Sequence, residues 1–387
     1  MDASFFIASR LRFKGRLVVI SIAVSYLVMM IALAVSAGFR NEIRQGLSAI
    51  CGDIQLTPQN ADMYDGQASV CAEPSYLPKL LEIEGVDEVK PVVARAGIVK
   101  NGENIHGVLF KGIHRDDTVA LGVSIPSRLA EIAGLKEGDR MLTYFVGEKV
   151  KMRQFAVTSV YDAMLAADDK LIVYASLSDM QRVNGWGDDK ASSLEVILEP
   201  SFRNETDMND ISYLVGATVY DYAKESDGSV YASSIVNMYP QLFDWLRLID
   251  FNVLFILVLM TIVAGFNMIS GLLIMLFENI STIGLLKSLG MTDRSISKIF
   301  LSSSAVLVLK GMAIGNVLAF LFCLVQNRTH LIGLNPENYF VSFVPVDINW
   351  GTVVISDVLS FAIIMVLLLI PCIFISRVDP ADTVRVR

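Results

Sequence analysis

LVVISIAVSYLVMMIALAVSA, residues 17–37, runs through 21 residues without a charge. A helix rises ~1.5 Å per residue, so about 20 apolar residues cross the ~30 Å hydrocarbon core of a bilayer. Three further stretches meet that measure. Residues 251–277 carry no charge, 301–325 carry only Lys310, and 351–375 carry only Asp357. A long polar segment separates the first stretch from the second. The expected architecture is therefore an α-helical membrane protein with four transmembrane helices and one large extracytoplasmic domain. A hydrophobic share of 53% in 387 residues supports this, being above that of an ordinary soluble chain.

Charge is unevenly distributed. Residues 38–250 hold 20 Lys+Arg against 32 Asp+Glu, and the remainder holds 12 against 8. An acidic segment inside a basic, apolar frame excludes nucleic acid as its partner, because phosphate binding needs clustered Lys and Arg. Basic residues near span ends also set orientation. Arg10, Arg12, Lys14 and Arg16 precede the first span, and Lys287, Arg294 and Lys298 lie between the second and third. Arg377, Arg385 and Arg387 follow the fourth, while only Arg328 lies between the third and fourth. Both termini and the 278–300 loop are thus expected in the cytoplasm, with 38–250 and 327–349 outside. Val35-Ser36-Ala37 has the small residues of a signal cleavage site. The apolar run is long for a signal peptide, so the first span is expected to be retained.

The helical pattern outlasts the membrane. Phe39, Ile43, Leu47 and Ile50 recur at helical spacing, with Arg40, Glu42, Arg44 and Gln45 between them. Leu242, Trp245, Leu246 and Ile249 repeat the pattern behind Pro240, a residue suited to a first helical turn. The expectation is a stalk in which the two extensions pack together; the alternative is a pair of interfacial helices. The domains then divide as a cytoplasmic N-terminus 1–16, first span and stalk 17–50, and a periplasmic α+β domain 51–239. There follow stalk and second span 240–277, a cytoplasmic loop 278–300, third span 301–326, outer loop 327–350, fourth span 351–375 and cytoplasmic tail 376–387.

The outer domain mixes strand and helix signals and is expected to have two subdomains. A helix near 76–84 leads to a strand at 86–93. A hairpin turning at Asn101-Gly102 joins 97–100 to 105–113. Helices are expected at 126–133 and 177–183, and strands at 140–146, 152–160, 171–174 and 195–198. No catalytic set emerges. His106 and His114 lack a cysteine ligand pattern, so no zinc site is expected. Neither a nucleophile elbow nor a phosphate loop occurs, so the chain has no nucleotide-hydrolysing unit of its own. Asp116-Asp117, Asp168-Asp169 and Asp188-Asp189 lack a spaced ligand loop and read as solvated surface. Cys51 and Cys71 lie outside, where a disulfide and two free thiols are equally open.

Residues 278–291, ENISTIGLLKSLGM, form a short helix capped by Gly290. Ile283, Leu286 and Leu289 are expected to make an apolar ridge facing a cytoplasmic partner; the bland reading is a helix lying on the membrane surface. This segment, from Glu278 through Lys287 to Met291, resembles the coupling helix of type VII ABC permeases. Phe6-Ile7-Ala8-Ser9-Arg10-Leu11 and Ser36-Ala37-Gly38-Phe39 are similar to the two ends of that superfamily's first span. Residues 128–139, then Phe155-Ala156-Val157, and the ending Asp379-Pro380-Ala381-Asp382-Thr383 resemble its outer-domain signature and tail. Within the superfamily the chain is most similar to the lipoprotein-releasing branch. In one of that branch's two paired permeases a long hook that recruits a periplasmic carrier falls between Arg140 and Phe155; here that interval reads as a plain hairpin turning at Gly147-Glu148, so the resemblance leaves open either the hookless partner or a different carrier handover.

The resemblance implies a permease subunit of an ATP-driven complex that extracts lipoproteins from the outer leaflet of the inner membrane. Mechanotransmission or efflux within the same superfamily is the alternative. It implies as partners a cytoplasmic ATPase dimer that binds ATP and magnesium, a second permease copy or paralogue, a lipoprotein substrate and a periplasmic carrier. No cofactor is expected in this chain. Met29, Met30 and Phe39 with Phe251, Phe255 and Met260 are candidates for an apolar acyl cavity; lipid-facing or packed positions are the alternative. Lys310 and Asp357 are costly in the membrane and are expected to pair across the third and fourth spans, unless Lys310 snorkels alone.

Overall fold

The computed structural model describes residues 16–59, 68–102, 104–115, 119–146, 150–162, 171–335, 339 and 341–376. The motif at 6–11, Arg10, Arg12, Lys14, both acidic pairs Asp116-Asp117 and Asp168-Asp169, the turn at Gly147-Glu148 and the tail beyond 376 lie outside the described residues.

Helix α1 (Arg16–Cys51) opens the fold. It is followed by β1 (Ile54–Pro58), β2 (Val70–Cys71), α2 (Leu77–Leu80), β3 (Val86–Asn101), β4 (Asn104–Ile113) and β5 (Gly122–Pro126). Next come α3 (Ser127–Ala133), β6 (Arg140–Phe145), β7 (Lys151–Tyr161), β8 (Leu171–Ser176), α4 (Leu177–Asn184), β9 (Lys190–Ala191) and β10 (Ser193–Leu198). Helix α5 (Glu205–Tyr222), β11 (Val230–Ser234) and α6 (Ile235–Met238) complete the mixed region. The chain closes with α7 (Pro240–Glu278), α8 (Ile280–Ser288), α9 (Asp293–Thr329), α10 (Trp350–Leu367) and α11 (Leu369–Ser376). It divides into two compact units. One comprises the residues up to Asn41, Trp245–Gly333 and those from Phe343 on; the other comprises Glu42–Asp244 and Leu334–Ser342.

Among the described residues, four helices are long and apolar enough to cross a membrane, and their apolar stretches lie in the first unit. α1 has 36 residues, α7 39 and α9 37, and the fourth spans Trp350–Ile373. Lipid offers no hydrophobic drive between helices, so close packing of small residues and polar contacts must hold them. The α1–α9 seam follows that rule. A Cβ on Gly315 would lie 2.5 Å from the Ala23 carbonyl oxygen, and one on Gly311 would lie 2.6 Å from an Ile22 methyl. Ala319 and Cys323 extend the same row at four-residue steps and are buried. Asn267 of α7 donates to Ser21 of α1 at 2.5 Å, a polar tie inside the apolar stretch. Ile22, Tyr26, Met268, Leu272, Phe300 and Ile364 form the core between the helices.

The second unit is built on a nine-stranded mixed sheet ordered β11-β1-β10-β3-β4-β8-β5-β7-β6, with β3 also pairing β6. The 16-residue β3 joins its two halves. Its first half pairs with β10 and its second with β4 and β6. The expected two subdomains thus share one strand. Phe110, Phe145 and Phe155 anchor the wider half, with ring centroids 4.9–6.1 Å apart. The hairpin at Asn101-Gly102 is present, with Gly102 at φ 61°, where a side chain is disfavoured. The helix expected at 76–84 is only the four residues of α2. Cys51 and Cys71 are not joined by a disulfide, and Cys51 Sγ donates to Leu47 O at 3.3 Å.

Gly52, at φ 71°, ends α1 inside this unit. Lys111 of β4 donates to the carbonyls of Ala49 at 3.2 Å and Ile50 at 2.7 Å, and pairs with Glu195 of β10 at 2.9 Å. A cation there satisfies orphan carbonyls and complements the helix dipole. Burial pushes the Glu195 carboxyl up from its ordinary value, and Lys111 pulls partly against it.

Candidate functional site

The first feature is α8. Its C-terminus closes on Gly290 at φ 86°, with the Met291 amide donating to Leu286 O and the Gly290 amide to Lys287 O. Lys287 also pairs with Asp293 at 2.9 Å, tying α8 to the start of α9. Glu278 is the exposed last residue of α7. The ridge expected from Ile283, Leu286 and Leu289 is not presented as one face. Ile283 is 1% exposed and Leu286 packs on the membrane core, whereas Leu285 and Leu289 are 57% and 76% exposed. The reason is helical phase. Steps of three drift by about 60° each, whereas steps of four drift by about 40°, so Leu285 and Leu289 share a face and the expected ridge winds inward. Ile283 and Leu286 root the helix, and Leu285 and Leu289 present it.

The second feature is an apolar cleft of about 340 Å³ between α1, α7 and α10. Met29 and Leu33 line it from α1, and Leu254, Leu257, Val258, Thr261 and Ile262 from α7. α10 supplies two rows at four-residue steps: Thr352, Ser356, Ser360 and Ile355, Leu359, Ile363. Of the six cavity residues expected from sequence, only Met29 is in this lining. Met30 is buried with Ala319 and Val353, and Phe39 packs edge-on against Trp245 at 6.0 Å. Phe251 and Phe255 point outward at 67% and 63% exposure, and Met260 is half-buried. The hydroxyl row on α10 was the available signal, since two serines and a threonine in register interrupt an otherwise apolar face.

The third feature explains the Ser36-Ala37-Gly38-Phe39 motif. Asp250 accepts a hydrogen bond from Ser36 Oγ at 2.7 Å and pairs with Arg40, locking α1 to α7 where their apolar runs end. Gly38 faces the loop before α10, where a Cβ would sit 2.4 Å from the Pro345 carbonyl oxygen. The Asp347 amide donates to Ala34 O at 2.9 Å beside it, and Asn41 reaches the Asp347 carboxylate at 3.3 Å. The expected packing of the two extensions is present at this level.

Lys310 and Asp357 do not pair. Asp357 accepts from Asn316 at 2.6 Å, and Lys310 is exposed on α9. The physical reason is depth. Counted from the ends of their runs, the two charges lie roughly 8 Å apart in height in a ~30 Å core. Asn316, six residues beyond Lys310, is ~9 Å further along the helix and level with the carboxylate. Ser360, one turn from Asp357, donates to the Tyr26 hydroxyl at 3.0 Å.

Residues 254–380 match the FtsX-like permease C-terminal domain. At 23% identity over 398 residues, 95% of this chain is similar to 92% of the lipoprotein-releasing system transmembrane protein LolC of Xylella fastidiosa. The lipoprotein-releasing system transmembrane protein LolE of Haemophilus influenzae is also 23% identical, over 94% of this chain and 92% of its own. Among solved structures, the periplasmic region of MacB from Actinobacillus actinomycetemcomitans covers 49% of this chain and 91% of its own length, at 13% identity and a TM-score of 0.31.

Proposed function

From the premise that this chain carries an FtsX-like permease domain, we propose that it is the permease subunit of an ATP-driven complex of the bacterial inner membrane. The complex extracts lipoproteins from the outer leaflet for transfer toward the outer membrane. Relatives named for lipoprotein release are similar to it over nearly its whole length. Hydrolysis belongs to a separate cytoplasmic ATPase dimer, and a second copy or paralogue of this chain completes the permease. Both termini and α8 face the cytoplasm, and the sheet unit faces the periplasm.

The observation that carries this reading is the division of labour in α8. Leu285 and Leu289 offer an exposed apolar pair to a groove on the ATPase, while Ile283 and Leu286 sit in the core shared with α1, α7 and α9. A push on the exposed pair is therefore delivered to packed helices, which have few ways to absorb it. The cleft lined by Met29, Thr261 and Ser356 then holds an acyl chain, and helix movement changes its volume.

The test is co-purification from mild detergent with an ATPase assay and mass spectrometry for lipid-modified peptides. Leu285→Asp is expected to remove the ATPase, and Ser356→Trp to keep the ATPase while lowering bound lipoprotein. Absence of any ATPase from the parent complex sinks the permease reading. An ATPase with no lipoprotein under any condition sinks the cargo assignment alone.

A further inference from the structure

We propose that Lys310 is the docking point for a membrane-spanning helix of another protein, one that carries Asp or Glu near the middle of the bilayer. The inference rests on the membrane span of α9 and is independent of the cargo assigned above. Two charges lie inside the apolar runs of this chain, Lys310 and Asp357. Asp357 is satisfied within the fold by Asn316 at 2.6 Å. Lys310 has no hydrogen-bond or ion-pair partner among the described residues. It stands on the open side of α9 with Val306, Ala313 and Val317 at steps of three or four, and all four are exposed. Gly311 and Gly315, which meet α1, lie on a different side. Ala313, one turn on, leaves room beside the lysine stem for a second helix.

Depth and charge identify the occupant. Lys310 is nine residues past Leu301, the nearer end of its run, so it lies ~13 Å deep in a ~30 Å core. An ammonium there is costly, and such a charge almost always faces a partner or a water-filled cavity. Lipid phosphates lie beyond the boundary, and a four-carbon stem covers only roughly half of the ~13 Å. The lysine therefore needs an acceptor at its own level, and a carboxylate supplies both the hydrogen bond and the countercharge. A second copy of this chain does not offer one. Its one acid inside an apolar run is Asp357, which is engaged by Asn316 and lies roughly 8 Å away in height. Two copies meeting through α9 would also set like charges at equal depth. The occupant is thus a different chain with an acid near the midplane.

The experiment places the photo-crosslinker p-benzoylphenylalanine at Val317 in the full chain, in its own membrane, and at exposed Val358 of α10 as a control. The expected result is a discrete adduct to another membrane protein from position 317 only. Mass spectrometry should find Asp or Glu within that protein's spanning segment. Lys310→Met should lower the adduct yield by about fivefold or more, whereas Lys310→Arg should retain most of it. Lys310→Asp combined with Lys in place of the partner's acid should restore it. An adduct to lipid alone would show a snorkelling lysine and overturns the proposal. So does an adduct to a second copy, no discrete adduct, a partner segment without an acid, or a yield indifferent to Lys310→Met. Unfolding of the detergent-solubilised chain separates docking from folding: the midpoint of Lys310→Met should be unchanged or raised, and a lower one would make Lys310 part of this chain's own packing and overturn the proposal too.

Discussion

Gly315→Ala is the smallest perturbation that tests how the membrane unit is held together. The added Cβ would lie 2.5 Å from Ala23 O, 2.8 Å from Tyr26 Cβ and 3.1 Å from Leu27 N. Ordinary contacts begin near 3.5 Å, so α1 and α9 must separate by roughly 1 Å. Two of the three obstructing atoms are backbone and cannot rotate away. Overpacking of this kind costs about 1–3 kcal/mol, and a uniform separation also loosens the neighbouring contact of Gly311 with Ile22. Gly265→Ala supplies the internal control. Its Cβ would meet only Leu367 Cδ1 at 2.6 Å, with the next atom at 3.9 Å. That is the end of a flexible side chain, so the change should cost less than about 0.5 kcal/mol, with the better helix propensity of alanine offsetting part of it. The assay is unfolding of the detergent-solubilised full chain for parent and both variants. Equal stability of Gly315→Ala and parent, or a larger loss for Gly265→Ala, would refute the argument that backbone proximity at α1–α9 organises this unit.

Removing Asn316 should leave Asp357 without its donor in an apolar surrounding, so Asn316→Leu is expected to lose about 1–3 kcal/mol and Asn316→Leu with Asp357→Leu to regain most of it. Lys310→Met should be neutral or stabilising in the same unfolding assay, and a large loss would restore a pairing role for that lysine. Lys111→Met strips a buried carboxylate of its partner and should cost about 3–5 kcal/mol at neutral pH, with Lys111→Met plus Glu195→Gln closer to the parent. The pH dependence has a definite sign. Glu195 is held above its ordinary pKa by burial, so the folded state binds its proton more readily than the unfolded state. Its contribution to stability therefore rises as pH falls through the raised value, and the Lys111→Met deficit should shrink on acidification. A deficit that grows on acidification would show that Glu195 is not the group responsible.

What could be read from the sequence was whatever depends on one helix at a time. A charge-free run states its own length against the bilayer, and Gly290 ends a helix by its own backbone freedom. The Ser36–Phe39 motif was visible, but its reasons lay in Asp250, Trp245 and Pro345, far along the chain. Helix α5 was legible and missed: Met208, Ile211, Val215 and Val219 keep helical spacing, yet the polar residues between them masked the period. The Gly311–Gly315 pair was equally available as a small-residue motif. The errors came where two helices must be set in register. Phase within α8 turns on a fraction of a turn and height between α9 and α10 on fewer than two turns, and apolar composition is nearly blind to both. The ridge in α8 drifted inward and the partner of Asp357 moved from Lys310 to Asn316 for that one reason. Polar atoms are what resolve it, because each buried donor or acceptor in lipid needs a partner at its own level. The polar residues inside the apolar runs, Ser21 and Asn267 or Asn316 and Asp357, therefore carry the register that the hydrophobic residues around them leave undetermined.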